Sequence, residues 1–154
     1  MRWNPHVTVA ALIERKGRFL MVEEETVDGV RINQPAGHLE DGESLIEACA
    51  REALEESAHR FTPEYLVGVY HWPRPSGDAT YVRFTFAGSL GACEEGRALD
   101  TGIIRALWMT LEEIEACRAR HRNEMVLSGI QDYLAGRRFP LDLIRYYGHN
   151  GIHI

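Results

Sequence analysis

Glu52, Glu55 and Glu56 fall at i, i+3 and i+4 within Ser44–Ser57, a stretch dominated by Ala, Leu, Glu and Arg with no Gly or Pro. That composition reads as an α-helix. Ser44 serves as its N-cap, and Glu47, three residues on, completes a capping box. At roughly 100° per residue the glutamates share one helix face. Stacked like charges cost a helix a few tenths of a kcal/mol per pair, and near its C-terminus they also oppose the macrodipole. A divalent cation would remove both penalties. Carboxylates are hard oxygen ligands, so Mg²⁺ or Mn²⁺ is expected rather than zinc. Magnesium held in this way keeps waters and takes up substrate phosphates. The competing reading is a solvated acidic helix face, which three glutamates alone do not exclude.

Such a helix needs a sheet to hold it. His6–Glu14 is a β-branched run, Arg15–Arg18 a turn, and Phe19–Glu23 reads as the return strand of a hairpin. A loop then carries Asp28-Gly29 and Asn33-Gln34-Pro35-Ala36-Gly37 up to the helix. Further strands are expected at Glu64–Trp72, Thr80–Leu90 and Ile104–Met109, with a turn-rich loop at Pro73–Asp78. Thr110 and Glu113 form a second capping box, opening a helix to about Arg120, and another helix spans Asn123–Ala135. The order predicts an α/β protein with a mixed sheet packed between helices.

The chain has 154 residues, 23 acidic against 17 basic, for a net charge of −6. That length suits one domain spanning residues 1–154, large enough to bury a core. An acidic balance disfavours nucleic-acid polymers, which attract basic surfaces, and docking on anionic membranes. The excess is local: residues 40–56 hold seven acidic residues and one Arg, leaving the remainder neutral. No apolar run reaches the ~20 residues of a membrane span, and the first residues show no secretory pattern. Cys49, Cys93 and Cys117 are odd in number and far apart, which suits a reducing cytoplasm. Cys49 is expected to be a small core residue.

Read together, Gly37, Glu43, Arg51, Glu52, Glu55 and Glu56 stand in the register Gly-x5-Glu-x7-Arg-Glu-x-x-Glu-Glu. This resembles the signature box of the Nudix hydrolases. His6-Val-Thr-Val-Ala, Asn33–Glu40 and Arg138-Phe-Pro-Leu141 are similar to the NudJ-type phosphatases within that family, a likeness covering nearly the whole chain. The resemblance implies a Nudix fold, with a mixed β-sheet sandwiched between α-helices. It implies that Glu52, Glu55 and Glu56 bind Mg²⁺ with help from the Gly37 carbonyl, and that Arg51 and Glu43 form a supporting salt bridge. One helix glutamate could instead be the base that activates water. Asp100, in the loop before the Ile104 strand, is a candidate extra ligand or base, with Glu94 and Glu95 behind it. Two departures stand out. Ala58 and His59 occupy places where the box normally has Gly and an apolar residue, which puts the helix C-cap in doubt. Ala36 replaces a common Gly.

The implied activity is Mg²⁺-dependent hydrolysis of small phosphoanhydrides: nucleoside di- and triphosphates, thiamine pyrophosphate or its hydroxymethylpyrimidine diphosphate precursor. ADP-ribose or oxidised nucleotides are the alternative substrates, and a nucleotide-sensing module without catalysis is the alternative class. For ring stacking the candidates are Trp3, Tyr70, Trp72, Tyr81 and Phe84, with Trp72 first because it borders the Pro-rich loop. Arg31 and Arg83 are candidates for phosphate contact, against a default of solvated charge. His38 and His59 flank the box with no partner evident. The oligomeric state is left open, and the Gly- and His-containing end, 148–154, is expected to be flexible.

Overall fold

The computed structural model describes residues 2–148 and the backbone of residues 151–153. The elements are β1 (His6–Leu12), β2 (Glu14–Arg15), β3 (Arg18–Thr26), β4 (Gly29–Asn33), β5 (Ala36–His38) and α1 (Leu45–Ser57). There follow β6 (His59–Pro73), β7 (Thr80–Cys93), β8 (Ile103–Thr110), α2 (Leu111–Ala116), α3 (Met125–Leu134), β9 (Phe139–Pro140), β10 (Tyr146–Gly148) and β11 (Gly151–His153). Of the end expected to be flexible, residues 149, 150 and 154 lie outside the described residues, and β10 pairs with β11.

Two sheets carry the fold. One runs β5-β1-β7-β6-β9, antiparallel except for the parallel β1–β7 pair. In the other, β3 pairs with β2, β4 and β8, all antiparallel. The expected hairpin is therefore small, since only Glu14–Arg15 folds back on Arg18–Phe19. β1 belongs to the other sheet because Val9 to Leu12 are all at most 1% exposed. A strand buried on both faces sits inside a sheet with helical layers on either side. Val9, Ala11 and Ile13 pack with Ala48, Cys49 and Ala53 of α1. Leu12 packs into a second cluster with Ile114 of α2 and with Val126 and Ile130 of α3. The architecture is the expected mixed α/β sandwich, in two sheets rather than one.

Other boundaries shift for local reasons. β4 and β5 replace the expected loop before α1, because Asn33 and Gly37 find strand partners in β3 and β1. β6 begins at His59 rather than Glu64 and accommodates Pro63 where the register shifts between Pro63 and Tyr65, the place a strand tolerates proline. The helix after Thr110 ends at Ala116 and gives way to a 3₁₀ turn at Arg118–Arg120.

The capping box of α1 is present, with Glu47 N–H donating to Ser44 Oγ at 3.1 Å and Ser44 N–H donating to Glu47 Oε1 at 3.2 Å. Small residues on its buried face let the helix approach β1 closely enough for Cys49 Sγ to meet the Ala10 carbonyl at 3.5 Å. Cys49 is fully buried, as expected, and burial pushes its thiol pKa up. The C-cap survives without glycine: Ala58 adopts φ 60° and donates its N–H to the Leu54 carbonyl at 2.9 Å. An L-residue is strained there. Ala58→Gly is expected to stabilise the fold by about 0.5–1 kcal/mol, read as a higher denaturation midpoint; a lower one would contradict the strain.

Candidate active site

Arg51 organises the carboxylates. Its Nε and Nη2 form a two-pronged bond to Glu43 at 2.9 and 2.7 Å, the geometry in which arginine is strongest. Nη1 donates to Glu52 at 2.8 Å and to Glu55 at 3.1 Å, and Nη2 also reaches the His38 carbonyl at 3.0 Å. The loop before α1 is thereby tied to its middle turns. The far end is tied by the backbone, where Asp100 N–H donates to the Glu55 carbonyl at 3.0 Å. That bond brings Asp100 to the helix: oxygens of Glu52, Glu55 and Asp100 lie within 4.8 Å of one another. Glu56 stands apart from this trio, accepting a hydrogen bond from Ala36 N–H at 2.9 Å.

Glu52 and Glu56 are only 7% and 8% exposed. Burial pushes Glu52 up to about 7 despite its bond to Arg51. Burial likewise pushes Glu56 up to about 8, with Glu52, Glu24 and Asp100 adding repulsion. The chain alone thus leaves these anions undercompensated, which suits a cation. Gly37 fits the same purpose. A Cβ there would overlap the Glu52 carboxylate, so only glycine lets β5 lie this close to the oxygens. An all-oxygen donor set matches Mg²⁺ or Mn²⁺.

A pH dependence follows. Carboxylates raised in the fold hold protons more tightly than in the unfolded chain, so their contribution favours folding below about pH 4.5 and is lost as pH rises towards 7–8. In EDTA the denaturation midpoint is expected to fall between pH 5.5 and 8. Added Mg²⁺ should raise it more at pH 8 than at 5.5, since ligands must be deprotonated to bind. Equal Mg²⁺ shifts at both pH values would refute this account.

Glu52, Glu56 and Asp100, though not Glu55, open onto a cleft of about 420 Å³. Of the residues singled out from sequence, Gly37, His38, Glu52, Glu56, Trp72, Tyr81, Arg83 and Asp100 line it. His6, Tyr81 and Trp72 stand opposite one another on adjacent strands, with ring centroids 5.1 Å apart for His6–Tyr81 and 6.0 Å for Trp72–Tyr81. Arg83 is not the solvated charge of the default reading, being 2% exposed. Burial pulls it down to about 10, which leaves it cationic at neutral pH.

Other candidates lie elsewhere. Arg31, expected near phosphate, does not line the cleft; its Nη1 turns back to the Val30 carbonyl at 3.0 Å. Tyr70 donates to Asp132 at 2.7 Å, Phe84 packs against the core, and Trp3 is 70% exposed. Glu94 bonds Arg60 and Arg97, and His59 packs edge-on to Trp108. Sequence reasoning missed Glu24, Asn33, Arg74 and Arg122, which also line the cleft. Glu24 is masked by its acidic neighbours, and Arg122 is placed by contacts distant in sequence, its backbone N–H donating to the Ile32 carbonyl at 2.8 Å and its Nε pairing with Glu24 at 3.5 Å.

Known proteins share this sequence pattern and this fold. The family pattern described as the NUDIX domain matches residues 3–128. Phosphatase NudJ of Escherichia coli K12 is 38% identical over 143 residues, covering 92% of each chain, and that of Shigella flexneri matches equally. A NUDIX hydrolase from Nitrosomonas europaea superposes with a TM-score of 0.91 at 52% identity, covering 94% of this chain and 98% of the other. A MutT NUDIX hydrolase from Burkholderia pseudomallei shares the fold at 17% identity, with a TM-score of 0.72 over 84% of this chain and 98% of the other. Signature box, sheet order and relatives coincide, and the chain belongs to the NUDIX domain family of hydrolases.

Proposed function

We propose that this hydrolase is a single-domain, Mg²⁺-dependent enzyme of the cytoplasm that cleaves phosphoanhydride bonds in small di- and triphosphates. Nucleoside di- and triphosphates, thiamine pyrophosphate and its hydroxymethylpyrimidine diphosphate precursor are the favoured substrates. The observation that carries this reading is one cleft lined by two opposed charges: the carboxylates of Glu52, Glu56 and Asp100, the first and last of which also cluster with Glu55, and the buried Arg83 cation. A pure nucleotide sensor has no need of the carboxylates. Similarity to the proteins named Phosphatase NudJ supports the substrate class.

Glu52, Glu55, Asp100 and the Gly37 carbonyl would hold the metal, with Glu56 as a further ligand or as the base. When bound, Mg²⁺ supplies charge neutralisation at the phosphates and a more acidic water. The chain does the positioning. Arg51 and Glu43 keep Glu52 and Glu55 in place, Ala36 N–H aims Glu56, and Trp72 and Tyr81 offer flat faces for a ring. The test is a panel of phosphoanhydrides with Mg²⁺, scored for released phosphate or pyrophosphate. Release that needs Mg²⁺ and stops with EDTA is expected. Turnover of ADP-ribose with thiamine pyrophosphate and nucleoside triphosphates inert would overturn the substrate class, and binding without any turnover would favour the sensing module.

A further inference from the structure

Asn33 and Gln34 belong to the segment that resembles the NudJ-type phosphatases, yet neither takes part in the carboxylate cluster. Both are buried, at 7% and 1% exposed. Their amide oxygens converge on one guanidinium: Arg83 Nη2 donates to Gln34 Oε1 at 2.7 Å and to Asn33 Oδ1 at 3.2 Å. The amide nitrogens are committed in turn, Gln34 Nε2 to the Val126 carbonyl at 2.8 Å and Asn33 Nδ2 to Glu24 at 3.5 Å. This commitment fixes which end of each amide faces the arginine.

The guanidinium so held is incomplete. Arg83 has no carboxylate at hydrogen-bond distance among the described residues, and its Nε, buried, has no partner. Buried cations without an anion are costly and are normally paired. Arg83 nonetheless lines the cleft. Strand pairing sets its place, since Arg83 of β7 stands opposite Thr8 of β1, which stands opposite His38 of β5. Two strand spacings, roughly 10 Å, therefore separate its backbone from β5, whose Gly37 lies directly against the Glu52 carboxylate of α1. That is room for a second phosphate beside one held at the carboxylates. A planar fork of donors is the group suited to bind it.

We propose that Arg83, positioned by Gln34 and Asn33, is the seat for a substrate phosphate other than the one held at the carboxylates, so that the cleft selects compounds with two or more linked phosphates. This rests on the phosphoanhydride reading above and adds to it a named selectivity element. The opposing role for Arg83 is a plain counter-charge to Glu24 and Glu56, which also face the cleft.

Methylenediphosphonate, which resists hydrolysis, separates the two when titrated calorimetrically into the protein in excess Mg²⁺. For Arg83→Gln its affinity is expected to fall at least tenfold, with KM for a nucleoside diphosphate rising more than kcat falls and Mg²⁺ affinity within twofold of the unaltered protein. Arg83→Lys should recover part of the loss, and Gln34→Met should move KM in the same direction by less. Unchanged diphosphonate affinity, or altered Mg²⁺ affinity alone, would overturn the seat in favour of the counter-charge. If Arg83→Gln does not fold, the unaltered protein decides: diphosphonate should shift the ¹⁵N signal of Arg83 Nε, and no shift would overturn the proposal. Binding needs no turnover. An inert enzyme with Arg83-dependent binding removes only the hydrolysis reading, and an active one with Arg83-independent KM and binding removes only the seat.

Discussion

Glu56→Gln is expected to lower kcat by about 10²-fold or more while the fold persists. The substituted side chain keeps nearly the same shape, and its amide oxygen can still accept from Ala36 N–H, the bond that Glu56 makes at 2.9 Å. What disappears is the anion. As a metal ligand Glu56 supplies charge, and as a base it supplies a site for a proton; an amide does neither. The variant should also be no less stable than the parent in EDTA at pH 8, because it removes a buried carboxylate that burial pushes up to about 8. Steady-state kinetics with saturating Mg²⁺ and a denaturation curve in EDTA measure the two effects. Parental activity in a folded Glu56→Gln protein would remove Glu56 from the site.

Arg51→Met has the largest expected effect on stability. Arg51 is the only cation bonded to Glu43, Glu52 and Glu55 among the described residues, and its side chain is 20% exposed beside partners at 13%, 10% and 30%. Removing one member of a buried ion cluster costs about 3–5 kcal/mol. Partial exposure here lowers that to roughly 2–3 kcal/mol, a fall of about 5–10 °C in Tm for a chain of this size. Activity should drop about 10–100-fold, the usual cost of losing a residue that orients ligands. A double-mutant cycle with Glu43→Gln should be strongly non-additive, because the first change removes most of what the second can break. Additive losses would show that the Arg51–Glu43 pair works as two separate contacts.

The site is legible in sequence wherever its geometry is local. A helix repeats every 3.6 residues, which places Glu52, Glu55 and Glu56 on one face, and a capping box is complete within four residues, which makes the start of α1 readable. The hairpin is misjudged because alternation says that a strand exists but not which strand it pairs with. β1 pairs with β7, more than 70 residues away in the chain, because burial on both faces demands it. Arg31 and Arg83 look equivalent as isolated arginines. Only folding sets one against the Val30 carbonyl and the other beneath the cleft.

By itself the sequence determined the family box, the helix that places Glu52, Glu55 and Glu56 on one face, and the acidic patch of residues 40–56. Those depend on residue types at short spacing, which the helical repeat turns directly into geometry. The tertiary structure alone decided that Asp100 joins Glu52 and Glu55, that Glu56 turns to Ala36, and that Asn33 and Gln34 hold Arg83. Each of these spans about 20 or more residues of chain. Such contacts are set by strand pairing and by the need to satisfy buried polar groups, which no short window of sequence contains.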